Sequence, residues 1–346
     1  MRTTRVAATF AVLAVSISLA ACTSTTTPAA EGTDSEWVGA GKDASELTFG
    51  TNVKSMGFDW FKRMELGVEK FGTDTGVTAF EQGPSTADPA LQVQVAQDQL
   101  AQGIDALIVV PTEVASMEPV MKQAMADGVV VVTHEASNVE NAVYDVEAFN
   151  NAAYGEHLMD ELAERSGETG DFAVFVGSLD STAQNEWMDA AIAYAETTYP
   201  NMKLVGDRQV TGSDQNTSYA QMKQLLATYP DLKGIIGGDA LDVVGAGQAV
   251  EEAGLQDSVS VLGTSIVSYA GDLLKTGAID LVTTWDPADA GYAANKVALM
   301  ILQGDEIAEG TDLGVTGFES ITLDGKVITG SAWVDITAEN MADYNF

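Results

Sequence analysis

Seven short segments concentrate the side chains able to bind or react: residues 52–61, 111–113, 134–137, 177–185, 238–242, 264–268 and 285–289. Each follows a short apolar run, and together they hold carboxylates, amides and hydroxyls beside the rings of Phe58, Trp60, Phe61 and Trp285. Carboxylates and amides pair with vicinal hydroxyls, and an aromatic face covers the C–H side of a sugar ring, so this mixture suits a hydroxyl-rich guest. The same acids admit another chemistry. Glu135 and Asp239 would serve as acid and base of a secreted glycosidase if their carboxyls stood at the separation that glycoside hydrolysis needs. Nucleophilic and metal chemistry find less material. Cys22 is the single cysteine and His134 and His157 are the only imidazoles, with no zinc-like spacing of His, Cys and acids, so neither a metal nor a cofactor is expected. Gly245-Ala246-Gly247 falls inside a helical pattern rather than at a strand-to-helix turn, which leaves a dinucleotide fingerprint unsupported. Trp187, inside its helix, reads as core rather than as a ligand contact.

These segments need a frame that holds them together. Strands are expected at 47–52, 77–82, 106–110, 129–133, 172–176, 204–210, 234–238, 259–263 and 279–284. Helices are expected between them at 60–75, 89–102, 114–127, 150–165, 182–199, 213–229, 240–253, 273–276 and 288–303. The runs at 106–110 and 129–133 are apolar without alternation, as in parallel strands covered on both faces. Such alternation of strand and helix predicts an α/β fold with doubly wound parallel sheets and right-handed crossovers. Residues 100–134 and 225–264 repeat one plan of helix end, apolar strand, polar loop, helix and strand, so two similar lobes are expected. A ligand would then bind in the crevice between them, beyond the carboxyl ends of the strands.

The N-terminus sets the compartment. Arg2 and Arg5 precede a run of apolar and small residues to Ala20, which is too short for a comfortable membrane span and has the form of a secretory signal. Leu19-Ala20-Ala21-Cys22 resembles the bacterial lipoprotein processing box, with Cys22 as the lipidated residue. A lone cysteine has no partner for an intrachain disulfide. Residues 1–21 are therefore expected as a lipoprotein signal peptide and 22–46 as a flexible tether rich in Thr, Ser, Ala and Pro. The remainder of the 346 residues suits two domains at about 150 residues each, and 46% hydrophobic content is enough for packed cores. The formal net charge of −35, from 51 acids against 16 bases, repels nucleic acid and anionic lipid. The membrane is expected to be met through the lipid alone.

Several stretches, in order, then carry a family resemblance: Gly83-Pro84-Ser85-Thr86-Ala87-Asp88, Gln184-Asn185-Glu186-Trp187, Tyr229-Pro230-Asp231-Leu232-Lys233-Gly234-Ile235-Ile236, Trp285-Asp286-Pro287, and the ending from Thr337 to Phe346. From residue 47 to 346 the chain resembles the type I periplasmic sugar-binding proteins, the substrate-binding lipoproteins of ABC transporters. Within them it is similar to the branch of rhamnose-binding proteins and the autoinducer-2 receptor. The resemblance implies a periplasmic binding protein type I fold with three crossovers. One lobe would take 47–146 plus 286–317, the other 147–285 plus 318–346, with hinges near Glu147, Trp285-Asp286 and Gly317. It also implies a non-enzymatic monomer anchored by lipid at the extracytoplasmic face of the cell membrane, which hands a sugar or polyol to a permease. A transcription regulator of the same fold would need a DNA-binding helix pair where this chain has its signal sequence.

Against the positions by which the autoinducer-2 receptor holds its ligand, Lys54, Gln184, Asp239 and Ala240 match, Glu135 replaces an aspartate, Ala183 replaces an acid and Gly238 replaces a proline. His134 stands where relatives often carry tryptophan. Loss of a carboxylate removes a charge-assisted hydrogen bond of about 1.5–3 kcal/mol. A sugar, deoxysugar or polyol is thus favoured over autoinducer-2, with an autoinducer-2-type signal receptor as the alternative. The resemblance places Lys54, Trp60, Phe61, His134 and Glu135 on one wall of the site, Gln184, Asp239 and Ala240 on the other, and Trp285 and Asp286 at the hinge. If Cys22 carries the lipid, the protein enters the detergent phase on phase partitioning and Cys22→Ala moves it to the aqueous phase; a variant still found in detergent contradicts the anchor.

Overall fold

The computed structural model describes residues 37–346, so Cys22, the signal peptide and most of the expected tether lie outside the described residues. In the first half of the chain the elements are β1 (Thr48–Asn52), α1 (Asp59–Thr75), β2 (Thr78–Gln82), α2 (Pro89–Ala101), β3 (Ala106–Val109), α3 (Val114–Ala126), β4 (Val130–His134), β5 (Tyr144–Glu147) and α4 (Asn151–Ser166). There follow β6 (Gly170–Val176), α5 (Thr182–Thr198), β7 (Met202–Leu204), β8 (Gln209–Val210), α6 (Gln215–Thr228), β9 (Leu232–Gly237), α7 (Asp242–Ala253), β10 (Ser260–Gly263), α8 (Val267–Thr276), β11 (Leu281–Thr284) and α9 (Pro287–Gln303). The chain finishes with β12 (Thr322–Asp324), β13 (Val327–Thr329) and β14 (Val334–Ile336).

Local chemistry fixes these boundaries. Asp88 accepts from the backbone of Ala90 and Leu91 ahead of α2, and Asp286 caps α9 in the same way, each followed by a proline at the first helical turn. Asn150 accepts from Ala153 to start α4. Left-handed glycines at Gly76, Gly167, Gly254, Gly277 and Gly304 stop five helices.

Two sheets result, in the strand orders β12-β13-β5-β4-β3-β1-β2 and β14-β11-β10-β9-β6-β7, with β8 also paired to β6. Without the edge additions, β5-β4-β3-β1-β2 in one lobe corresponds to β11-β10-β9-β6-β7 in the other. The segments that repeat in sequence are β3-α3-β4 and β9-α7-β10, and they occupy equivalent places. All pairings are parallel except β12 with β13 and β11 with β14. Buried Val130, Val131 and Val132 face helices on both sides, as their unbroken apolar run requires.

Four expectations need correction. The tether does not extend to residue 46: Val38 donates to the Gly128 carbonyl at 2.9 Å and Lys42 pairs with Asp105 at 2.5 Å, so residues 37–46 lie against the first lobe. The run 204–210 is two strands, β7 and β8, separated by a turn with Gly206 at φ 70°. Helix α8 starts at Val267 rather than at 273. The return to the second lobe is displaced from Gly317. Residues 322–329 form a hairpin whose β13 pairs in parallel with β5, and only β14 joins the second sheet, so the third crossover lies at 330–333. Strand β5 was not foreseen.

Helices α1 and α9 approach closely because Gly67 has no side chain. A Cβ there would stand 1.8 Å from the Ala288 carbonyl oxygen, and one at Gly291 would stand 2.7 Å from Met64 Cγ. Backbone cannot yield as a flexible side chain can, so Gly67→Ala is expected to destabilise the protein by about 1–3 kcal/mol in urea unfolding. Wild-type stability in that variant contradicts the close approach.

Candidate functional site

Three crossovers join the lobes at 147–150, 284–286 and 330–333, and backbone hydrogen bonds tie two of them together. Gly330 donates to the Glu147 carbonyl and Ala332 to that of Ala148, both at 2.9 Å, while Ser331 donates to Gly317 at 2.7 Å. Aromatic rings surround this seam. Phe149 stacks on Tyr154 at 4.1 Å between centroids and meets Trp285 edge-on at 5.1 Å and Trp333 at 5.7 Å. Trp285 also touches Trp60 of the first lobe at 4.8 Å and Trp187 of the second at 5.8 Å. Edge-to-face pairs of this kind contribute about 0.5–1.5 kcal/mol each beyond their burial.

Above the seam a cavity with about 720 Å³ of atom-free space, part of it open at the rim, lies between the carboxyl ends of the two sheets. Its first wall carries Lys54 after β1, Phe58, Trp60 and Phe61 at the start of α1, Thr112 after β3 and Glu135 after β4. Its second wall carries Ser178, Ser181 and Gln184 around the start of α5, Ser213, Asp239 and Ala240, and Thr264 and Tyr269 near α8. Trp187 and Trp285 close the hinge side.

The charges in this cavity are held in place. Lys54 forms an ion pair with Glu135 of the same wall. Burial by itself pushes the Glu135 carboxyl up, but the charges of Lys54 and His134 and the hydrogen bond from Lys54 outweigh it, leaving the group below its usual range. Glu135 has φ 60° and Ser213 φ 55°, left-handed conformations that side-chain-bearing residues seldom adopt and that concentrate at functional sites. On the opposite wall Asp239 accepts from Ser213 Oγ at 2.8 Å, Gln184 Nε2 at 3.2 Å and the Leu241 backbone at 3.1 Å. Gly177 makes this possible, since a Cβ there would lie 2.8 Å from Asp239 Oδ2.

The described form is closed. Ser137 Oγ donates to Glu186 at 2.7 Å and Thr182 Oγ1 to Asn138 at 2.9 Å, across the lobes on one side of the cavity. On another side the Asp59 backbone donates to Tyr269 Oη at 2.5 Å. Within the first lobe Arg63 of α1 holds the start of α9, reaching Asp286 at the end of the second crossover through Nε at 2.8 Å and Nη2 at 2.5 Å.

Eight of the ten residues expected around a ligand line this cavity: Lys54, Trp60, Phe61, Glu135, Gln184, Asp239, Ala240 and Trp285. His134 and Asp286 are not among the lining residues. The His134 ring is buried, with Nδ1–H donating to the Val146 carbonyl at 2.6 Å and its edge toward Trp285. It supports the wall from behind. Asp286 is occupied by Arg63 and by capping α9. Sequence reasoning missed Tyr269, because α8 was started too late, and Ser213, which precedes α6. Trp187 was assigned to the core; it is buried and also lines the cavity. Away from the cavity His157, Glu161 and Asp335 each bring a ligand-type atom within 4.8 Å of the others. These are already engaged as ion pairs, His157 Nε2 at 3.0 Å from both Asp335 oxygens and Arg165 at 2.5 Å from Glu161.

Because the folded protein holds the Glu135 carboxyl low, the stability it contributes is complete above its unfolded value of about 4.3 and is lost as pH falls through the folded value. Glu135→Gln is therefore expected to be less stable than wild type near neutrality by about 1–3 kcal/mol in urea unfolding. It should also lose less stability than wild type on acidification from about pH 5 to about pH 3. Parallel losses in the two proteins contradict a carboxylate stabilised by Lys54.

With this geometry, comparison with known proteins is informative. The family described as periplasmic binding protein domain matches residues 49–306. The ribose import binding protein RbsB of Bacillus subtilis (strain 168) is 23% identical over 262 residues, covering 76% of this chain and 84% of that protein. LsrB from Clostridium saccharobutylicum, solved in complex with AI-2, superposes with a TM-score of 0.79 at 20% identity, covering 87% of this chain and 100% of that one. An ABC transporter solute binding protein from Clostridium phytofermentas with bound L-rhamnose also gives 0.79, at 21% identity, with 86% and 98% covered. Two parallel-sheet lobes, three crossovers and the family match agree: the chain belongs to the periplasmic binding protein family, with the type I architecture.

Proposed function

We propose that this chain is the extracytoplasmic, lipid-anchored receptor of an ABC importer, closing its lobes over a neutral sugar, deoxysugar or polyol and delivering it unchanged to a permease. The observation that carries this reading is the distribution of charge and aromatic surface in the interlobe cavity. Lys54 neutralises Glu135, Asp239 is surrounded by Ser213, Gln184 and the Leu241 amide, and rings line the space between them. A neutral guest with several hydroxyls can bond to both walls and present C–H surface to Trp60, Phe61 and Trp285. Contacts to both walls exist only in the closed form, so the guest favours closure by its differential affinity. Relatives whose names specify ribose, and a structural neighbour with bound L-rhamnose, support this guest class.

The anchor is supported by the processing box that ends at Cys22, and the ABC importer partner by the family. No helix of the described residues is long and apolar enough to cross a membrane. A second reading, an autoinducer-2-type signal receptor, is favoured by the likeness to LsrB in complex with AI-2 and by the place of Lys54, Gln184, Asp239 and Ala240 in the cavity. Replacement of the acid by Ala183, which is fully buried, weighs toward the first reading.

A thermal-shift panel of pentoses, hexoses, deoxysugars, polyols and autoinducer-2 tests the proposal, because a ligand that binds only the native state raises the melting temperature by mass action. At least one neutral polyhydroxylated compound is expected to raise it, and Glu135→Ala and Asp239→Ala should each weaken its binding by about 1–3 kcal/mol. A panel with no shift, or variants that bind as tightly as wild type, contradicts the assignment of the cavity.

A further inference from the structure

Strand β5 carries two carboxyls at alternate positions, so both point from the same face of the first sheet. Asp145 is 0% exposed and Glu147 3%. Thr133 Oγ1 donates to Asp145 Oδ1 at 2.7 Å and the Ala136 backbone at 3.1 Å, but Asp145 Oδ2 and Glu147 Oε1 have no donor. The two carboxyls lie within hydrogen-bonding reach of each other. Between two such groups that contact requires a proton. Glu147 also opens the first crossover, and its carbonyl accepts from Gly330 of the third.

The charged surroundings offer little to an anion here. His134 and Glu135 face the pair from β4 and its loop, and Lys54 is committed to Glu135. Glu186 approaches from α5 of the second lobe, held by Ser137 and Asn151. From β13 uncharged Val327 and Thr329 stand in register, and Lys326 directs its ammonium to the Glu140 carbonyl at 2.8 Å. Helix α9 belongs to the core on the opposite face, with Val146 and Ala148.

We propose that Asp145 and Glu147 hold one proton between them inside the hinge, and that closure over a ligand strengthens their hold by bringing Glu186 and the second lobe against Glu147. The linkage rests on the reading of the interlobe cavity as a ligand site. Burial is the largest cause for both and pushes each upward; the neighbouring Asp145 adds to it for Glu147, whereas for Asp145 the bonds from Thr133, Glu147 and the Ala136 backbone oppose it. A closed form that binds the proton more tightly than the open form loses affinity as pH rises, by at most about tenfold per pH unit for one proton.

Infrared spectroscopy of the ligand-free protein tests the shared proton without any sugar. Glu81, pushed up to about 9 by burial, and buried Asp242, pushed well above its ordinary value, also contribute protonated carboxyls. The diagnostic signal is therefore the difference between wild type and variant at neutral pH. A protonated-carboxyl band present in wild type, lost in Glu147→Gln and shifted in frequency in Asp145→Asn, where an amide replaces the carboxyl partner, is expected; spectra that match wild type in either folded variant, or no such band in wild type, overturn the proposal. The second arm is calorimetry at alkaline pH in two buffers of different ionisation enthalpy, with D-ribose and L-rhamnose as probes. Proton uptake on binding that disappears in Glu147→Gln supports the linkage, and equal uptake in both proteins, or none in wild type, overturns it. If neither sugar binds, the cavity reading and the linkage fail together for these sugars, while the infrared arm still decides the shared proton.

Discussion

The cleft depends on Trp285. This residue is 1% exposed, sits on the second crossover, and touches Trp60 on one lobe, Trp187 on the other and Phe149 on the first crossover. Rings that meet edge-on can keep contact through small rotations better than interdigitated aliphatic chains, whose packing is lost by a small gap. The crossovers also carry their own backbone bonds, Gly330 to Glu147 and Ala332 to Ala148, so two passes of the chain move as one. A hinge of this construction confines lobe motion to rotation about a fixed seam. The strand ends are thereby kept facing each other, which is why residues from β1, β4, β6 and β9 loops meet in one cavity.

Charge is the second organising constraint. An excess of acids this large repels itself over the whole surface, and few bases are available to offset it. Three of them stand at or beside the cavity and its crossovers. Lys54 is spent on Glu135 in the cavity, Arg63 on Asp286 at the second crossover, and Arg208 on Asp189 and Asn185 beside α5. Where no base is present, buried carboxyls are stabilised by other means. Asp242 accepts from Thr211 and from the Asp239 backbone, and its neutral form is favoured by burial first and then by Asp239. In the cavity the one lining base is spent on Glu135 and Asp239 is met by neutral donors, an arrangement that suits hydroxyls and offers an anion no free base among the lining residues.

The amino-acid pattern revealed the frame well where one periodicity dominated. The strands at β3 and β4 were legible because both faces are buried and both are apolar, and the doubled plan of β3-α3-β4 and β9-α7-β10 followed from that. Strand β5 was hidden because one of its two buried faces consists of Asp145 and Glu147, which look like a solvated turn. The hairpin of β12 and β13 was hidden because its strands are three residues long, too short for alternation to register. In the site, position after a strand marked the segments that hold Lys54, Glu135, Gln184 and Asp239, and the family resemblance singled out those residues within them. The ion pair between Lys54 and Glu135, 81 residues apart, was beyond reach, as was the left-handed backbone of Glu135. Asp286 was drawn into the expected ligand set by its place beside Trp285, and only the packing of α1 on α9, which brings Arg63 to it from 223 residues away, shows that it is already paired.

A hinged receptor must change shape when its guest binds. Small-angle X-ray scattering of the protein alone and with a saturating sugar or polyol measures that change directly. The account predicts a smaller radius of gyration and a profile matching the closed form when the guest is present. Superimposable profiles in the two conditions, from a protein shown to bind the compound, would contradict it.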